Sequence, residues 1–106
     1  MKPIVLISTT VEKKEDAELL AGILLDRKLI ACAQISAPIT SLYRWKGVTT
    51  SATEYTLSLK TSATCMDSVQ TLLKENHPYE LPEIITQQID KGSHEYLQWV
   101  LGEVEQ

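Results

Sequence analysis

The chain has 106 residues, 43% hydrophobic and 23% charged, a profile of one globular domain rather than of a disordered or repeat-built protein. A net charge of −4, with ten scattered Lys and Arg residues, leaves no electrostatic footprint for nucleic acid. The longest apolar stretch, Leu19 to Leu25 with Gly22 inside it, falls far short of the ~20 residues of a membrane span. The apolar run Pro3 to Ile7 is too short for a secretory leader, so no membrane partner and a cytoplasmic address are expected.

In chain order, Ile4-Val5-Leu6-Ile7 is a β-branched run without alternation, the pattern of a strand central in a sheet. Thr9-x-x-Glu12 has capping-box spacing, and Ala17, Leu20, Ala21, Leu24 and the Lys28 stem recur at helical intervals, predicting a helix over 12–28. Leu29 to Ile35 reads as a second apolar strand, ended by Ala37-Pro38. Ser41 to Trp45 resumes as a strand with Ser41, Tyr43 and Trp45 on one face, and Lys46-Gly47 begins a polar connection.

The clearest strand follows: Tyr55, Leu57 and Leu59 alternate with Glu54, Thr56, Ser58 and Lys60, predicting one buried and one polar face. A second helix, with Thr64 as its cap and Cys65, Val69, Leu72 and Leu73 inward, must stop before His77-Pro78. Glu83 to Asp90 is the last strand, and Gly92-Ser93 opens a terminal helix over 94–104 with Leu97, Val100 and Leu101 on one side. The order is β-α-β-β-α-β with a helix appended. It predicts an α+β, ferredoxin-like single domain over 1–106: an antiparallel sheet with two helices on one face. The Glu54/Thr56/Ser58/Lys60 row would then lie on the other face, solvated or shared with a partner subunit.

Chemistry-bearing residues gather around Tyr43-Arg44-Trp45 with Glu54 and Lys60, in His77-Pro78-Tyr79-Glu80-Leu81-Pro82-Glu83, and at Tyr96 and Trp99. Phenylalanine is absent; every aromatic carries an O–H or N–H, as at interfaces and pocket walls. His77, at a helix end, is read either as a surface cap or as a metal ligand or proton-handling group beside Tyr79 and Glu83. Cys32 is read as a small hydrophobe or a soft ligand for copper, whose partners other segments or chains would supply. Cys65 is read as core. CxxC, HExxH, GxSxG, P-loop and GxGxxG patterns are all missing, so no catalytic residues, no enzyme activity and no obligatory cofactor are predicted.

Taken together, Leu29-Ile30-Ala31-Cys32-Ala33, Ser41 through Gly47, Glu54 through Thr61, His77 through Ile84 and Tyr96-Leu97-x-Trp99 resemble the CutA divalent-cation tolerance family. The resemblance runs from Pro3 to about Leu101. It implies a ferredoxin-like subunit of a tight homotrimer, similar in architecture to PII signalling proteins, and a role in tolerance of copper and other divalent ions. It also implies a site near the clefts between subunits, formed by Tyr43, Trp45, Glu54, Lys60, His77, Tyr79 and Glu83. Ser8, Leu72 and Asn76 stand where some bacterial members carry cysteines and a histidine, whereas Cys32 and His77 are kept.

Two readings of that site follow. One is a metal-binding, metal-response trimer with His77, Glu83 and Cys32 on copper or another divalent cation. The other is a sensor of a small anionic molecule, with Lys60 as the positive charge and Tyr43 and Trp45 as a stacking wall. A non-catalytic scaffold is the third possibility.

Overall fold

The N-terminal strand outruns its apolar residues. In the computed structural model, which describes residues 3–105, β1 spans Ile4–Val11. Thr9 and Thr10 are therefore buried strand residues, and the capping box expected at Thr9 does not form. β1 is paired along both edges, with β4 (Val48–Ser62) and with β5 (Ile84–Ile89), and two ladders outweigh one local cap. Helix α1 spans Lys14–Asp26 behind Lys13, which makes no side-chain cap; Glu15 and Asp16 in its first turn suit the helix dipole. Lys28 lies beyond the helix, exposed and with φ of 56°, so its stem does not extend the inward stripe.

β2 (Cys32–Ile35) and β3 (Ile39–Trp45) both pair with β4. Ser36 still donates its N–H to the Thr56 carbonyl, so β3 follows β2 along the same edge of β4. The polar connection expected after Trp45 is a two-residue turn, with Lys46 at φ 50° and Gly47 at φ 81°. Both central residues are left-handed, the twist that suits a hairpin, and glycine adopts it without steric cost. β4 is consequently 15 residues long. Its second half is central in the sheet, order β2-β4-β1-β5, and its first half projects with β3 as an arm.

After β4, a 3-10 turn at Ala63–Cys65 leads into α2 (Met66–Asn76). No side-chain cap from Thr64 forms; the 3-10 turn makes the entry instead. Pro78 then forces His77 into extended backbone, ending the helix there. α3 (His94–Glu103) begins at Ser93, whose hydroxyl accepts from the Tyr96 N–H at 3.4 Å.

The core lies between the sheet and α1 and α2. Val5, Ile7, Val11, Leu57 and Leu59 face Ala17, Leu20, Ala21 and Leu24 of α1 and Val69, Leu72 and Leu73 of α2. Each large aliphatic side chain removed from water here contributes about 1.5–3 kcal/mol. Tyr55 packs against this same core, on the helix-covered side. The opposite face is not open throughout. α3 packs against β4 and β1, and the Lys60 ammonium sits 5.8 Å from the Tyr96 ring centroid. At the other end, the segment after α2 lies over Glu54, which is only 6% exposed despite belonging to the polar row.

Candidate functional site

The segment 77–83 is pinned at two points to different strands. The His77 Nε2 lies 2.9 Å from the Thr9 Oγ1 of β1, and the Tyr79 hydroxyl donates to the Glu54 Oε2 of β4 at 2.6 Å. Between them, the Tyr79 backbone N–H donates to the His77 Nδ1 at 3.1 Å. The two rings tilt against each other at 57°, with centroids 5.0 Å apart. Proline at 78 presets one backbone angle of this link and lowers the entropy of ordering it.

Glu54 is a buried carboxylate with hydroxyls around it. Burial pushes its pKa up, but hydrogen bonds from Tyr79, Ser41 and Thr10, together with the nearby His77, hold it below the ordinary 4.5. Burial also dominates at His77 and holds the imidazole below 6.5, against the Thr10 backbone and the charges of Asp16 and Glu54. The Tyr79 phenol is held above its ordinary value, first by burial and then by the Glu54 carboxylate.

Above this network opens a cleft of about 1310 Å³, walled by the arm and by residues 78–83. Among the described residues, its charged lining consists of Glu12, Glu54, Glu80 and Glu83, without Lys or Arg. Tyr43 and Trp45 form an aromatic wall and remain 42% and 39% exposed. Such a lining favours positively charged groups electrostatically.

Of the residues singled out in the sequence, the fold brings Tyr43, Trp45, Glu54, Tyr79 and Glu83 to one cleft, with His77 directly beneath Tyr79. Lys60 and Cys32 are elsewhere. They are cross-strand partners, and the Lys60 ammonium donates to the Gln34 Oε1 at 2.8 Å beside Tyr96. Thr9, which holds His77, is registered against Leu57, three positions along β4 from Lys60, or roughly 10 Å at the rise of a strand. Cys32 and His77 therefore do not meet within one chain. Among the described residues, no group of three or more His, Cys, Asp and Glu side chains converges as a metal site. Cys65 is buried, its thiol donating to the Glu105 carbonyl at 3.0 Å, as a core residue would.

Thr9, Thr10 and Ser41 were missed as parts of the site. Thr9 carries a signal as a β-branched residue just beyond the Ile4–Ile7 run, but its spacing to Glu12 points to a helix cap.

A split βαβ sheet with a projecting hairpin arm, a third helix on the far face and an acidic, aromatic cleft defines an α+β protein of the ferredoxin-like class. The chain belongs to the family described as CutA1 divalent ion tolerance protein, whose profile matches residues 5–103. It is 37% identical over 100 residues to the divalent-cation tolerance protein CutA of Thermus thermophilus, covering 94% of this chain and 95% of that one. It is 36% identical over 98 residues to the chloroplastic protein CutA 1 of rice, covering 92% of this chain but only 55% of that longer relative. Superposition on the crystal structure of CutA1 from Shewanella sp. SIB1 gives a TM-score of 0.94 at 33% identity, covering 100% of both chains.

Proposed function

We propose that this protein serves divalent-cation tolerance in the cytoplasm as a homotrimeric metal-binding and metal-response protein, its copper or other divalent ion held where subunits meet. One observation carries the reading. The charged walls of the cleft are acidic alone, yet no three ligands converge among the described residues of a single chain. A divalent ion with several protein ligands therefore needs donors from more than one copy.

The arm supports the oligomer. Residues Val48–Glu54 of β4 pair with β3 along one edge and, among the described residues, with nothing along the other. Leu42 and Val48 on the arm are 73% and 64% exposed. Unpaired strand edges and large exposed apolar side chains are what a partner chain covers. Glu83 and Glu54 are the carboxylates we assign to the metal side of such a seam.

A second reading, a small-molecule sensor, draws support from the Tyr43 and Trp45 wall. An anion held by Lys60 is less favoured there than a cation, because Lys60 is turned to Gln34 and Tyr96.

Native mass spectrometry of the purified protein, metal-free and titrated with Cu(II) and Zn(II), tests the proposal. A trimer that takes up a fixed number of ions, reduced in Glu83→Gln, is the expected result. A monomer, or a trimer that stays metal-free, overturns it.

A further inference from the structure

We infer that His77 is a positioning residue for the cleft, acting through Tyr79 on the Glu54 carboxylate, and that it offers no nitrogen to a metal. The inference deepens the reading of the cleft given above, but its first evidence is metal-free.

Donor and acceptor counting carries it. A backbone N–H only donates, so the Tyr79 amide at 3.1 Å requires a bare lone pair on the His77 Nδ1. The ring proton therefore resides on Nε2, which faces the Thr9 hydroxyl oxygen at 2.9 Å and is the ring's one donor toward that hydroxyl and the Thr10 backbone. The imidazole is neutral, in one tautomer, with both nitrogens committed. Thr9 is fully buried in a strand paired on both edges, which makes it a rigid anchor.

The consequence runs outward from that anchor. By the alternation of β1, Thr9 belongs to the helix-covered face, whereas Glu54 belongs to the opposite face. His77 and Tyr79 connect the two. Fixing the Tyr79 amide on Nδ1 and its ring against the imidazole aims the phenol at Glu54, where it donates at 2.6 Å. A metal on Nδ1 would have to break the Tyr79 bond, and one on Nε2 would break the Thr9 bond. The donors that this segment and Glu54 turn to the cleft are oxygens.

Three variants separate this role from its rivals. In His77→Asn, the side-chain oxygen accepts from the N–H two residues on, as in an Asx turn, and replaces Nδ1. His77→Gln and His77→Ala do not. Nitrogen NMR of the wild-type ring should find the proton on Nε2; a proton on Nδ1 overturns the inference whatever the variants do.

Hydrogen exchange at the Tyr79 amide should quicken about tenfold in His77→Ala and His77→Gln, the size of one lost hydrogen bond, and stay within about twofold in His77→Asn. Equal behaviour of all three variants overturns the positioning role. So does loss of Cu(II) or Zn(II) uptake in His77→Asn with the Tyr79 signals intact, because that result makes His77 a ligand. A trimer without metal in every form overturns the proposed function, while the ring and tyrosine measurements still decide this one.

Discussion

The Tyr79 hydroxyl and the Glu54 carboxylate meet at 2.6 Å across 25 residues of sequence, joining the loop after α2 to the central strand. The pair closes the floor of an acidic cleft. An ionised carboxylate at 6% exposure, with no lysine or arginine bonded to it among the described residues, depends on its hydroxyl donors.

Tyr79→Phe removes the donor that lies 2.6 Å from the carboxylate and keeps the ring. Hydrogen bonds to charged groups are worth about 1.5–3 kcal/mol, so stability should fall by that order. Urea unfolding measures it. An unchanged midpoint would show that Ser41 and Thr10 suffice to hold the carboxylate.

Acid should weaken the fold from the His77 step downward. The folded protein holds the His77 imidazole below 6.5, so the unfolded chain binds the proton more readily. This contribution is fully present above pH 6.5 and is lost as pH falls through the lower, folded value. Glu54, held below 4.5, adds a second loss of the same sign at more acidic pH. The urea midpoint should thus be flat above neutrality and decline below pH 6.5, with His77→Asn lacking the first decline. A midpoint that rises on acidification contradicts both shifts.

Gly47→Ala tests the arm. A Cβ at Gly47 meets nothing within 4 Å, so the cost is conformational, not steric contact with neighbours. At φ 81° an L-residue pays about 1–2 kcal/mol. A lower melting temperature with an unchanged far-ultraviolet spectrum is the expected outcome.

Leu57→Ala and Leu42→Ser should part company. Leu57 is fully buried between sheet and helices, and its truncation should cost about 2–5 kcal/mol by urea unfolding. Leu42, 73% exposed on the arm, should leave the subunit's own fold intact and weaken association. Sedimentation velocity at falling concentration reads the second effect. Indistinguishable association in Leu42→Ser would remove the arm from the proposed seam.

Local pattern was enough for much of this protein. The alternation of Tyr55, Leu57 and Leu59 set which face of β4 is buried, and the stripes Ala17-Leu20-Ala21-Leu24 and Val69-Leu72-Leu73 set the inward faces of both helices. Pro78 stopped α2 at His77, and Ser93 started α3. Each of these rests on residue spacing or on one residue's backbone, which are properties of sequence neighbours.

Tertiary pairing decided the rest. Val48 to Thr53 joined the longest strand because β3 folds back on it through Lys46-Gly47, although their own pattern is polar. Thr9 became an anchor for His77 rather than a helix cap because β1 has a partner on each side. Glu54 was buried, and Cys32 parted from His77, by strand register, and a shift of one residue there moves a side chain to the other face. Register is fixed by ladders between segments far apart in the chain, so no local reading of the sequence contains it.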